Sequence, residues 1–167
     1  MSKDNWETPW DMIDVINKDY PIGLDVCTDG NNAKCSMYLT DSLDLPWKMF
    51  LPSDKYIWCN PPYSDVQPWV DKIIESRLPT LLLVNASTSA KWFHDILNIA
   101  SEMWVIRGRI AFIDPDTGSP VNGNDRSQVM FVIDGQNKYC EVKSVDVNDL
   151  QPHRKNYKEY LIKRCSQ

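Results

Sequence analysis

Apolar and polar positions along this chain follow two alternating periods, one helical and one strand-like. Residues 10–18 keep the helical period, opened by Thr8 as N-cap, Pro9 at the first helical position and Asp11 in the first turn. Ile22-Gly23-Leu24-Asp25-Val26 reads as a short buried strand, and 33–38 as a second helix or turn. A strand is expected over 55–59. The next helix, 66–76, places Val66, Trp69, Val70, Ile73 and Ile74 on one apolar face. Thr80-Leu81-Leu82-Leu83-Val84 is a continuous apolar run, the pattern of a central parallel strand covered on both sides. A helix over 91–100 and a strand over 103–106 follow. Segments 109–113 and 128–133 then flank a loop, 114–127, rich in Asp, Gly, Asn and Pro. Loops of that length are usually functional or disordered. An edge strand over 142–147 and a terminal helix over 154–164 complete the pattern.

Six or seven strands alternating with four or five helices predict an α/β fold, most simply a three-layer αβα sandwich with a mostly parallel sheet. The 167 residues fit a single domain, with no separate target-recognition domain. In such sheets ligands sit at the carboxyl ends of the strands. Asp25 lies at one such end, and the 55–59 strand leads into another.

Composition narrows the setting. No apolar run approaches the ~20 residues of a membrane span, and Met-Ser-Lys-Asp-Asn at the start has no signal-peptide character. A cytoplasmic protein is expected. The five cysteines, Cys27, Cys35, Cys59, Cys140 and Cys165, include no Cys-x-x-Cys pair, so reduced thiols are expected and a zinc site is not. A net charge of −5 argues against a nucleic-acid partner, whose phosphates are met by Lys and Arg. Distribution matters more than the sum. Residues 153–158, with Lys163 and Arg164, are locally basic, although a solvated helix face is their default explanation. Arg107, Arg109 and Arg126 form a second basic group.

The chemistry concentrates in Asn60-Pro61-Pro62-Tyr63, followed by Ser64, directly after Tyr56-Ile57-Trp58-Cys59. An amide, two prolines and an aromatic ring at a strand end can serve as a turn and nothing more. They also meet the needs of methyl transfer to a planar amine. The lone pair of such an amine is delocalised into its ring. Asn60 Oδ1 and the Pro61 carbonyl can accept its two N–H groups and favour a more tetrahedral nitrogen. The fixed φ of Pro61 and Pro62 holds that carbonyl in place. Tyr63 offers a stacking face, worth roughly 1–3 kcal/mol in nucleic-acid sites.

An ordered set of segments accompanies this motif: Trp6-Glu7-Thr8-Pro9; Leu24-Asp25-Val26-Cys27 with Asn32-Ala33-Lys34-Cys35; Trp69-Val70-x-Lys72; Lys91-Trp92-Phe93; and Gly108-Arg109-Ile110-x-Phe112. In that order the chain resembles the small phage-type DNA N6-adenine methyltransferases, often called Dam-like. The resemblance implies a Rossmann-like methyltransferase fold, S-adenosyl-L-methionine as donor, and adenine of double-stranded DNA as acceptor. It assigns catalysis to Asn60, Pro61, Pro62 and Tyr63, by direct in-line displacement onto a flipped base, without a metal or an enzyme nucleophile. Cofactor contacts are implied for Trp6, Thr8, Pro9, Asp25 and Cys27, with Asp41 or Asp44 toward the ribose or adenine. Thr8-Pro9 as a plain helix start, Asp25 as a turn former and Asp41 or Asp44 as surface carboxylates remain the bland readings. Ser64, Lys91, Arg109 and Arg126 are the candidate nucleic-acid contacts, and the 114–127 loop is expected to approach DNA. Trp92 and Phe93 read as core in preference to a base pocket.

The chain departs from the broader methyltransferase pattern at Asp25-Val26-Cys27-Thr28-Asp29-Gly30-Asn31, which lacks a G-x-G loop. Two alternatives stay open at this level. One is the same chemistry on RNA guanine N2 or a protein glutamine amide; the other is a non-catalytic relic of the fold. Monomer and homodimer are both compatible with the sequence.

Overall fold

The structure, a computed structural model, describes residues 5–135 and 139–167. The expectation for Met-Ser-Lys-Asp at the start lies outside the described residues. In chain order the helices are α1 (Trp10–Ile16), α2 (Gln67–Ser76), α3 (Lys91–Leu97), α4 (Val147–Leu150) and α5 (Tyr157–Cys165). The strands are β1 (Ile22–Asp25), β2 (Tyr56–Cys59), β3 (Thr80–Asn85), β4 (Glu102–Arg107), β5 (Ile113–Asp114), β6 (Ser119–Pro120), β7 (Gln128–Ile133) and β8 (Glu141–Asp146).

Six of these strands form one sheet, in the order β1-β2-β3-β7-β4-β8, and β5 pairs with β6 as a separate ribbon. β1, β2 and β3 run parallel, as do β4 and β8. β7 enters between β3 and β4, antiparallel to both. The start of β7 therefore lies beside the end of β3, with Asn85 opposite Gln128.

Strand periodicity divides the core into two layers. On one face Ile57, Cys59, Leu82, Val84 and Phe131 pack with Val70 and Ile73 of α2 and Phe93 and Ile96 of α3. On the other, Trp58, Leu81, Leu83, Met130 and Val132 meet Met12, Ile13 and Ile16 of α1 and Val147 and Leu150 of α4. Residues 81–84 of β3 are uninterruptedly apolar because alternate residues serve both layers. Among the described residues, no helix is long and apolar enough to cross a membrane.

Several local expectations are corrected. Thr8 is not the N-cap of α1: Pro9 holds that position in an extended conformation, with no side-chain cap bond. The Thr8 hydroxyl is instead committed to Asn60. α1 stops at Ile16, and the Asn17 side chain accepts the Ile22 N–H at 2.7 Å, which folds the chain back into β1. Residues 33–38 carry no helix. There the backbone runs beside the end of β1, with Asp25 N–H donating to Met37 O and Leu39 N–H to Asp25 O. The 109–113 segment is extended into a strand only at Ile113, and the 114–127 loop contains the β5–β6 ribbon. A 3-10 turn, Arg154–Asn156, precedes α5.

Candidate active site

The ends of β1, β2 and β3 and the start of β7 open on one edge of the sheet. Two cavities meet there. The first encloses about 600 Å³ and is lined by Glu7, Cys27, Thr28, Asp29, Asn32, Asp41, Asp44, Asn60, Pro62 and Trp69, among others. The second, of about 430 Å³, is lined by Trp6, Tyr63, Asn85, Ser87, Phe112, Asn124, Arg126 and Gln128. Their common wall is made of chain segments that contribute to both sides. Glu7 faces the first and Trp6 the second; Asn60 and Pro62 face the first and Tyr63 the second.

Local pairing fixes this wall. Glu7 and Ile113 exchange backbone hydrogen bonds at 2.9 Å in both directions, so the 6–8 segment is held against β5. Trp6 consequently stacks on Phe112, centroids 6.2 Å apart, and Tyr63 meets the same ring edge-on at 6.2 Å. The buried Thr8 hydroxyl accepts the Asn60 Nδ2–H at 3.1 Å. Asn60 Oδ1, shielded from solvent, is left with no hydrogen-bond partner, and so is the Tyr63 hydroxyl. Unpaired buried polar atoms are rare in folded proteins and call for an explanation. An acceptor left unpaired on a residue that lines a cavity is suited to an incoming N–H donor. Burial alone pushes the Tyr63 phenol well above its ordinary value, so it stays protonated.

The loop after β1 keeps its shape without a G-x-G sequence. The buried Asp25 carboxylate accepts Cys27 N–H at 3.1 Å with one oxygen and Lys34 N–H at 2.9 Å with the other. Thr28 Oγ accepts Gly30 N–H at 2.9 Å, where Gly30 adopts a φ of 95°. Side-chain turns thus shape the loop together with the left-handed backbone at Gly30. Burial raises the Asp25 carboxyl above its usual range, opposed by those two N–H groups and by the Lys34 charge. On the far side of the cavity Ser42 Oγ donates to Val26 O at 2.8 Å, and Trp47 Nε1 to Ser42 O at 2.9 Å, which fixes the stretch holding Asp41 and Asp44.

Burial pushes the Cys27 thiol well above its ordinary value, and Cys59, with Sγ 3.4 Å away, raises it further. A thiolate nucleophile is disfavoured at this position.

The residues expected to act together separate into distinct places. Cys27, Asp41, Asp44, Asn60 and Pro62 line the first cavity. Trp6, expected beside the cofactor, faces the second, together with Tyr63 and Arg126. Thr8, Pro9, Asp25 and Pro61 are buried behind the walls. Arg109 bonds the Ser127 hydroxyl, and its carbonyl accepts Arg154 Nη1 at 3.2 Å, which brings part of the basic C-terminal segment to this edge. Ser64 is exposed beyond Tyr63. Lys91 lines neither cavity; it pairs with Asp95 on α3. Arg107 is likewise engaged, by Asp146. Phe93 is core, packed edge-on to Phe131 at 5.2 Å.

Sequence reading missed Asp29, Asn32, Trp69, Asn85, Phe112 and Gln128 as lining residues. Asn85 and Gln128 had a legible signal: each is the polar end of an otherwise apolar strand.

Two neighbouring cavities, the first lined by an amide with an unused acceptor, lie at this edge of the sheet. A family model described as DNA N-6-adenine-methyltransferase (Dam) matches residues 1–156, and the chain belongs to that family. It is similar to a DNA N-6-adenine-methyltransferase of Haemophilus phage HP1 (strain HP1c1), at 29% identity over 152 residues and 85% of each chain. It is also similar to a DNA N-6-adenine-methyltransferase of Escherichia phage T1, at 28% identity over 150 residues. That match covers 78% of this chain and 63% of the relative, less than two thirds of the relative's length. No solved structure matches the chain.

Proposed function

We propose that this protein transfers a methyl group from S-adenosyl-L-methionine to N6 of adenine in double-stranded DNA. The observation that carries the reading is Asn60: a residue lining the first cavity whose side-chain carbonyl is buried without a partner, in a chain of the adenine-methyltransferase family. The sheet then corresponds to the Rossmann-like fold of these enzymes.

The first cavity suits the donor. Its size falls within the usual range for small-molecule sites. Asp41 and Asp44 offer acceptors for ribose hydroxyls or adenine N–H groups, and Glu7 and Asp29 offer negative charge for an ammonium. When bound, the donor supplies an electrophilic methyl group on a sulfonium. The remaining requirements fall on the protein. Asn60 Oδ1 and the Pro61 carbonyl accept the two N–H groups of the target amine, which draws its lone pair out of the ring. Tyr63 stacks on the base. The surplus proton leaves to water after transfer, and no covalent enzyme intermediate is needed.

The second cavity suits a flipped adenine, since N6 is inaccessible within a stacked duplex. Arg126 at this cavity, with Arg109 and Arg154 nearby, provides cations for the flanking phosphates despite the acidic total. An acceptor panel tests the proposal. With labelled donor, the label should enter duplex DNA as N6-methyladenine and leave RNA and protein unlabelled. Label in RNA or protein alone would overturn the DNA assignment, and no saturable donor binding by calorimetry would indicate a relic.

A further inference from the structure

We propose that Asn85 determines base specificity in the second cavity, donating its side-chain N–H to a ring nitrogen that flanks the 6-amino group of adenine. Gln128 and Asn124 act as positioning residues that fix the direction of this donor. The inference rests on the reading that the second cavity receives the target base.

The oxygen and nitrogen of an amide look alike, so its orientation must be deduced from its neighbours. Here the neighbours decide it. Arg126 N–H, a backbone donor, contacts one end of the Asn124 amide at 3.1 Å. The Ile110 carbonyl, which can only accept, contacts the other at 3.0 Å. Asn124 Oδ1 must therefore face Arg126, and Nδ2 must face Ile110. The same Nδ2 reaches Gln128 at 2.9 Å, so the Gln128 atom it meets is Oε1. Gln128 must then present Nε2 to Asn85, and the 2.9 Å contact there is to Asn85 Oδ1. By elimination, Asn85 shows Nδ2 to the cavity it lines, and among the described residues that nitrogen has no hydrogen bond.

Each step is rigidly supported. Gln128 is 2% exposed and sits opposite Asn85 in the β3–β7 register. Ala86 N–H donates to Ser127 O at 2.8 Å, which locks the two strand ends together. The chain of amides thus converts a fixed backbone donor and acceptor into a fixed donor at the cavity wall.

Adenine carries lone pairs at N1 and N7, on either side of the carbon bearing the amine. A donor from Asn85 fits either nitrogen. A protonated N1, as in hypoxanthine or guanine, would set donor against donor if N1 is the contact. Built polar sites discriminate by leaving their own groups unpaired with the wrong ligand.

The test uses duplex DNA carrying adenine, 1-deazaadenine or 7-deazaadenine at the methylated position. Wild-type enzyme should lose about tenfold or more in kcat/KM on one of the two analogues, the loss expected from one buried hydrogen bond. Asn85→Ala should lose a similar factor on adenine and become indifferent to that analogue. Gln128→Glu, assayed at a pH where the new carboxylate is ionised, obliges Asn85 to turn its Nδ2 toward it and show Oδ1 to the base. This variant should lose the same discrimination, an effect that a packing role would not produce. Wild-type enzyme that treats all three bases alike would overturn the inference while leaving the function standing. Retained discrimination in Asn85→Ala would do the same. No transfer to adenine by wild type would overturn the function and the inference together.

Discussion

Thr8→Val removes one hydroxyl and keeps a β-branched side chain of similar volume. Thr8 is 2% exposed, and its Oγ accepts the Asn60 Nδ2–H at 3.1 Å. The valine leaves that amide facing a methyl group. A buried polar group deprived of its partner costs about 1–3 kcal/mol. Asn60 escapes the cost by rotating toward solvent or another acceptor, which takes Oδ1 away from the target amine. If that energy is the bias that holds the reactive rotamer, kcat should fall by about fivefold to 150-fold. Donor affinity measured by calorimetry should stay at the wild-type value, because Thr8 does not line the first cavity. Thr8→Ser, which retains the acceptor, should restore most of the rate. This role for Thr8 fails if Thr8→Val turns over normally. It also fails if donor affinity collapses while kcat persists, since Thr8 would then act on the cofactor as the family resemblance implies.

Gly108→Ala should destabilise the fold by roughly 2–4 kcal/mol, because Gly108 has a φ of 98° and an added Cβ would lie 2.5 Å from Val147 Cγ1. The check is a lower urea midpoint at unchanged slope. Tyr63→Phe should leave stability unchanged or raise it by up to ~1 kcal/mol, because the lost hydroxyl is buried without a partner. A large drop in Tm would contradict that. Burial tends to raise the Glu102 carboxyl, but hydrogen bonds from Lys143, Trp104 and Tyr20 outweigh it and hold the group below 4.5. Its stabilising effect is therefore complete above that value and lost as pH falls through the lower, folded one. Urea titrations between neutral and acid pH should show this acid loss in wild type and a weaker one in Glu102→Gln.

Much of the fold was legible because burial imposes period. The Leu81-Leu82-Leu83-Val84 run announced a strand covered on both faces, and Val70 and Ile73 announced the inward side of α2. What failed was decided over long range. Thr8 reads locally as a cap, yet its hydroxyl is claimed by Asn60, 52 residues away. Residues 33–38 lack a helix because their backbone is taken by Asp25. The motif at Asn60 was visible from residue types alone, whereas Asn85 and Gln128 join the site only when β7 folds back beside β3. Sequence neighbours group Trp6 with the expected cofactor contacts. The Glu7–Ile113 pairing instead sets Trp6 against Phe112, on the other side of the wall.

The most direct measurement compares wild type with Asn60→Ala in methyl transfer from labelled S-adenosyl-L-methionine to duplex DNA, followed by nucleoside analysis. Wild type should place label in N6-methyladenine, Asn60→Ala should lose it, and both should bind the donor. Transfer that survives in Asn60→Ala would contradict this role for Asn60.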